Sequence, residues 1–223
     1  MKTQAGWVGV VMLGISAMPG HAQSLNDTVY LGAGLGQASA NELCNFDVGD
    51  GESKKCDKTG LAKTVFLGYR FNQYAAFEFD YHTIDAQAST ISNVDDTGTG
   101  SKIKRDVTFK GVGLNIVGSY PVNERFSLLG LAGWSRNSVE DRVKSYEYTS
   151  GDVVASSREV DKKTSNGPLL AIGGMTQWRD AEFRLLYKDY LDVDSGMTNG
   201  DGKKLEPDIK IIELEAALHF SAL

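Results

Sequence analysis

The stretch that decides the fold is TVFLGYRFNQYAAFEFDYH, residues 64–82. It consists of two halves separated by the polar break Asn72-Gln73-Tyr74. In both halves every second residue is apolar or aromatic, and the charged residues occupy only the alternate positions. Alternation with a period of two predicts two strands, each with one apolar and one polar face, joined by a tight turn.

The same alternation recurs along the chain and predicts eight strands, at residues 28–37, 62–71, 75–83, 106–120, 126–136, 167–178, 181–190 and 208–220. Short connections (72–74, 121–125 and 179–180) alternate with long polar ones (38–61, 84–105, 137–166 and 191–207). Bacterial outer-membrane barrels have short periplasmic turns and long extracellular loops. We therefore predict an all-β fold, an eight-stranded antiparallel up-and-down transmembrane β-barrel. The sixth strand is apolar at successive positions, so the sequence leaves its two faces unassigned.

The N-terminus is typical of an exported protein. Lys2 precedes a short apolar run at residues 7–15, and small residues precede a cleavage site predicted after Ala22. The apolar run is shorter than the roughly 20 residues that a membrane helix needs. We expect a cleaved signal peptide at 1–22, a barrel domain at 23–223 and a location in the bacterial outer membrane. The net charge of −6 argues against a nucleic-acid partner, whose binding surface is basic.

The two cysteines, Cys44 and Cys56, lie in one polar segment. Since an even number of cysteines in an exported chain is typical of a disulfide, we predict that they are bonded. A metal site is the alternative, but the segment offers no third and fourth ligand. The sequence predicts no metal and no cofactor.

Charged side chains occupy the face of the strands that is predicted to line the lumen. An eight-stranded barrel is just wide enough for side chains to fill it, so these charges must pair with one another. We predict a structural network that plugs the lumen, with Arg184 at its centre; a narrow channel and acid–base catalysis are the alternatives. Its members are Arg70, Glu78, Asp80, Glu182, Arg184, Lys188, Glu213 and Glu215.

Three basic residues interrupt the apolar face: Lys63, Lys110 and Arg136. Each lies about eight to ten residues from the tight turn of its hairpin, where a strand that crosses the bilayer reaches the outer headgroups. They either bind lipopolysaccharide phosphates or extend to the interface without a specific partner.

Several segments resemble the strands of OmpA-type small outer-membrane barrels, among them residues 30–36 (YLGAGLG), 66–72 (FLGYRFN), 130–134 (GLAGW) and 184–187 (RLLY). The closing strand resembles the signal that the barrel assembly machinery reads, carried here by Leu214, Leu218 and Phe220. Residues 221–223 after that Phe depart from the family, and so does Leu131, where many members carry a basic residue. No peptidoglycan-binding domain is expected after the barrel.

The resemblance implies a structural and surface-binding protein that acts through its extracellular loops, in adhesion or colonisation. Its expected partners are outer-membrane lipids including lipopolysaccharide, the barrel assembly machinery, and a ligand on a host or other surface. A small diffusion channel is the alternative. A lipid A-modifying enzyme is less well supported, because the His-x-Ser spacing of His219 and Ser221 falls at the periplasmic end; we predict no catalytic site.

Overall fold

The structure is a computed structural model that describes residues 27–39, 53–57, 59–94, 97–194 and 208–221. These residues form one antiparallel sheet with nine strands: β1 (Thr28–Ser39), β2 (Ser53–Asp57), β3 (Thr59–Asn72), β4 (Ala75–Val94), β5 (Gly100–Pro121), β6 (Phe126–Thr149), β7 (Asp152–Trp178), β8 (Ala181–Tyr190) and β9 (Ile209–Ser221). Pairing between β4 and β5 closes eight of them into a ring, and β2 adds to the far end of β4. The predicted eight-stranded barrel is confirmed.

The two faces of the strands are sorted as the alternation predicts. Phe77, Phe79 and Tyr81 of β4 point outward, whereas Glu78 and Asp80 are buried in the lumen. A barrel in lipid needs this arrangement, since its outer wall must be apolar while its interior can be polar.

The strand whose faces the sequence left unassigned is β7. Its Leu170 and Ile172 point outward, while Leu169 and Met175 are buried inside. Both faces are apolar because the inward residues of β7 join apolar clusters in the lumen rather than its charged layer.

Two of the predicted long loops are largely strand. The connections 84–105 and 137–166 continue the barrel as paired strands, from Ile84↔Phe109 up to Val94↔Gly100 and from Asn137↔Ser165 up to Thr149↔Asp152. The prediction ended these strands where the apolar face ends. Beyond the membrane both faces meet water, so a strand there has no apolar side to reveal it. A short strand, β2, also lies inside the predicted loop 38–61.

The β6–β7 hairpin ends in the tight turn Ser150-Gly151, where both residues have positive φ (53° and 88°). Such a two-residue turn matches the twist of the strands that it joins. The Gly151 amide donates a hydrogen bond to the Gly98 carbonyl (2.9 Å), so the tips of the β4–β5 and β6–β7 hairpins are in contact.

The predicted signal peptide and Cys44 lie outside the described residues, and for Cys56 only the backbone, in β2, is described. The disulfide stays a prediction. No helix in the described part of the chain is long and apolar enough to cross a membrane.

Candidate functional site

Arg184 lies at the centre of the charged layer in the lumen. Its Nη1 donates to Glu78 Oε1 (2.5 Å) and lies 3.4 Å from Glu215 Oε2, while its Nε donates to Glu182. Arg70 Nη2 donates to the other oxygen of Glu182 at 2.8 Å. Five side chains from β3, β4, β8 and β9 are thereby linked across the barrel.

Lys188 joins the remaining carboxylates to this group. Its Nζ lies 2.8 Å from Glu213 Oε2 and 2.6 Å from Glu215 Oε1. Glu215 therefore bridges Lys188 and Arg184. The structure thus places seven of the eight predicted network residues in one chain of ion pairs.

Asp80 lies further along β4 and has partners of its own. It accepts a hydrogen bond from Asn115 Nδ2 (2.7 Å) and contacts His82 Nδ1 (2.7 Å). His82 Nε2 lies 2.7 Å from Asn137 Oδ1, and the Asn137 amide nitrogen donates to Ser135. Both ring nitrogens of His82 are therefore in contact with buried side-chain oxygens, which fixes the orientation of the ring.

Each of the two buried histidines lies against a carboxylate of the lumen. His82 lies 2.7 Å from Asp80, and His219 lies 3.0 Å from Glu182. His219 also contacts Thr28 Oγ1 at 3.2 Å. Both histidines are thus occupied by contacts within the lumen, and neither is presented to an outside substrate.

Glycines on the inner faces of the strands make room for these side chains. A Cβ at Gly34 would overlap the Glu213 carboxylate, and one at Gly68 would overlap the ring of Tyr30. Tyr30 in turn donates a hydrogen bond to Glu78 (2.7 Å). The Gly32-x-Gly34-x-Gly36 pattern is therefore explained by packing inside the barrel.

An apolar layer fills the lumen on the outer side of the charges. Its eleven side chains are each no more than 1% exposed. They come from both the barrel strands and Val193, which follows β8. The members of this layer, named the outer seal, are Ala38, Ala62, Ile84, Val107, Phe109, Val139, Leu169, Tyr190, Val193, Ile209 and Ile211. A second apolar cluster includes Leu131, at the position where the family often carries a basic residue.

The three basic residues at the outer edge lie on β3, β5 and β6, with β4 between the first two. Lys63 pairs with Thr83 and Thr83 with Lys110, so the two lysines share one cross-strand row. Arg136 and Lys110 line the same hollow on the outer wall, of about 300 Å³, together with Tyr81. The register brings together residues that are far apart in the sequence.

On the outward face of β9 lie the residues of the predicted assembly signal, Leu214, Leu218 and Phe220.

The sequence analysis missed the uncharged hydrogen-bonding partners in the lumen, Tyr30, Asn115 and Asn137. These residues occupy the alternate strand positions that face the lumen, close to charged residues, and this position could have identified them. Uncharged polar residues are also common on exposed strand faces, however, so the pattern alone did not single them out.

Comparison with known proteins places the fold. The family described as OmpA-like transmembrane domain matches residues 24–222. Neisserial surface protein A has a TM-score of 0.53 and 14% identity, over 86% of this chain and 97% of that one. Ail, the attachment invasion locus protein of Yersinia pestis, in complex with the heparin analogue sucrose octasulfate, has a TM-score of 0.51 and 14% identity, over 87% and 99%. A search of curated protein sequences finds no match.

Proposed function

Since the chain belongs to the OmpA-like transmembrane domain family and is an outer-membrane β-barrel, we propose that it binds a ligand at the cell surface through the strands that extend beyond the membrane. We name these strands the upper sheet: β2 together with residues 85–94, 100–106, 140–149 and 152–162. Along β6 the upper sheet ends about 40 Å beyond Arg136, at a rise of roughly 3.3 Å per residue.

The observation that carries this proposal is the contrast between the filled lumen of the barrel and the exposed upper sheet. The charged layer and the outer seal fill the interior, whereas residues 152–161 of β7 in the upper sheet expose the side chains of both faces to water. A channel needs a continuous water path through the lumen, and the outer seal opposes one. The working surface is therefore the upper sheet.

The two structural neighbours support a role in adhesion or colonisation. One is named a surface protein and the other an attachment invasion protein, and the second was solved with a heparin analogue bound. We propose a role of this kind for the present chain, with a ligand on a host or other surface. The proposed partner during insertion is the barrel assembly machinery, through the outward row of Leu214, Leu218 and Phe220.

Shortening the β6–β7 hairpin tests this function. Residues 142–160 are replaced by Asn-Gly, which joins the paired residues Asp141 and Asp161 by a tight turn. Val139 and the rest of the outer seal are kept, so the barrel is expected to stay folded and to shift on heating in SDS gels. Binding of the protein in nanodiscs to cultured host cells is expected to fall severalfold. Equal binding by the shortened and full-length proteins would contradict the proposal.

The basic edge residues are proposed to bind lipopolysaccharide phosphates. Lys110 and Arg136 line one hollow, and Lys63 shares a cross-strand row with Lys110. Reversing the charge of Lys110 and Arg136 to Glu is expected to lower the co-purified lipopolysaccharide severalfold, since charge-assisted hydrogen bonds become repulsive contacts. The matched control reverses Arg125 and Arg179, which are exposed at the opposite end of the barrel. An equal lipopolysaccharide content in the two variants would contradict this proposal and would mean that Lys110 and Arg136 only extend to the interface.

A further inference from the structure

Three cations lie directly side by side on the upper sheet. Lys104 of β5 pairs with Lys144 of β6, and Lys144 pairs with Arg158 of β7. Lys102 lies two residues beyond Lys104 on the same face, opposite Tyr146. We name Lys102, Lys104, Lys144 and Arg158 the cation cluster.

The cation cluster lies on the face that continues the outer wall of the barrel. The β5–β6 register runs without a shift from Lys110 up to Lys104, and the β6–β7 register shifts only between Glu147 and Tyr148. Residues of the same parity therefore keep the same side. The side chains of the cation cluster therefore point away from the barrel axis. The cluster lies about 20 Å along β5 beyond Lys110, at roughly 3.3 Å per residue.

Such a row has a cost for the fold. Neighbouring strands are about 4.8 Å apart, and like charges placed directly opposite each other are destabilising. The overall composition does not account for the row, since the chain carries a net charge of −6.

Two nearby carboxylates, Glu140 and Asp141, pair with cations outside the cluster. Glu140 lies on the same face, but it accepts a hydrogen bond from Arg142 (2.6 Å) and lies 3.8 Å from Lys162. The hydrogen bond from Arg142 lowers the pKa of Glu140, so this carboxylate stays ionised and neutralises those neighbours. Asp106, also on this face, lies across from Arg142. Asp141 pairs with Arg105 on the opposite face. In the described part of the chain, no carboxylate lies within ion-pair distance of the cation cluster.

We propose that the cation cluster binds a polysaccharide that carries closely spaced phosphate or sulfate groups. Three cations across the strands and a fourth along β5 form an array that matches several anions rather than one, and each contact is a charge-assisted hydrogen bond. Tyr146 lies within the array, 5.8 Å from Lys104 Nζ to its ring centroid, and offers an aromatic face to a sugar ring. This inference rests on the proposed function and names the ligand class for the upper sheet.

Two sources present this chemistry: the phosphorylated core of neighbouring lipopolysaccharide, and a sulfated polysaccharide outside the cell. Both place several anions along one saccharide chain. The experiment therefore uses two probes, heparin in solution and nanodiscs with lipopolysaccharide whose core is either phosphorylated or dephosphorylated.

The test is the substitution Lys144→Glu in the full chain. A carboxylate between Lys104 and Arg158 turns two repulsive cross-strand contacts into attractive ones, so the β6–β7 hairpin is expected to resist proteolysis longer than in the parent protein. Binding of at least one probe is expected to weaken about tenfold or more, because the central cation becomes an anion. Arg125→Glu at the opposite end of the barrel is the matched control, with unchanged binding and unchanged proteolysis of the hairpin.

A variant whose hairpin resists proteolysis longer but which binds a probe more weakly shows that the cations act in binding. If the row had only a structural role, the substitution would change the stability of the hairpin and leave binding unchanged. Weaker binding of heparin alone assigns the site to an external polysaccharide, and weaker binding of phosphorylated lipopolysaccharide alone assigns it to the membrane. Unchanged binding of both probes by Lys144→Glu overturns the inference, even where the shortened hairpin abolishes cell binding. If the shortened protein still binds cells but loses heparin, the adhesive function fails and the polysaccharide site stands.

Discussion

Replacing Arg184 with Met is expected to lower the free energy of unfolding by about 3–5 kcal/mol, the usual cost of removing one partner from a buried ion-pair network. The substitution leaves Glu78 and Glu215 without their guanidinium contacts and Glu182 with Arg70 and His219 only. Methionine fills a similar volume, so the loss reports the charge rather than a cavity. The measurement is the urea midpoint of the protein refolded into lipid vesicles.

The matched control is Arg179→Met. Arg179 is exposed in the β7–β8 turn, and in the described structure its guanidinium contacts the Trp178 ring at 5.4 Å from the centroid, with no carboxylate partner. Its midpoint is expected to stay within error of the parent protein. An Arg184→Met midpoint equal to that of the control would mean that the lumen charges do not act as a network.

Replacing Gly34 with Val is expected to cost about 3 kcal/mol, at the upper end of what overpacking a filled interior costs. Glycine is needed here because a side chain at this position would occupy the space of the Glu213 carboxylate and contact the Glu215 side chain. Both carboxylates would then move away from Lys188, so the ion pairs are lost together with the packing. The urea midpoint and the heat-dependent gel shift are the readouts.

Gly130→Val is the control for this substitution. Gly130 also lies in the middle of a strand, β6, but on its outward face. Nothing lies within 4 Å of a Cβ placed there. Valine is favoured in strands and in contact with lipid, so the control is expected to be neutral or slightly stabilising. Equal losses in the two variants would indicate that backbone freedom, rather than the filled lumen, explains the glycine at position 34.

The barrel could be predicted from the sequence because lipid forces a strict pattern on each strand that it covers. The β4 residues Phe77, Phe79 and Tyr81 reveal their outward face, and Glu78 and Asp80 reveal the inward one. The strand ends in water could not be predicted in this way. Residues 140–149 of β6 are polar on both faces, and their pairing depends on the turn at Ser150-Gly151.

The candidate site was only partly accessible to sequence reasoning, because it depends on register. Parity placed Arg184 and Glu182 on one face, but the contact between Arg184 and Glu78 requires two strands on different sides of the ring. The cation cluster requires the register of three strands at once. The outer seal was hidden for another reason: Phe109 falls on the inward parity of its strand, but Val139 lies in a segment predicted to be a loop, and only the closed ring brings these side chains together.

The central claim is that the interior of the barrel is closed and that its outer strands are the working surface. The direct test is solute flux through liposomes that contain residues 23–223, with folding demonstrated by the heat-dependent gel shift in the same preparation. With Lys188, Arg184 and their carboxylates paired below the outer seal, we predict that small sugars and ions cross no faster than through protein-free liposomes. Fast flux through the folded protein would contradict the account, because it requires a water path where the outer seal lies.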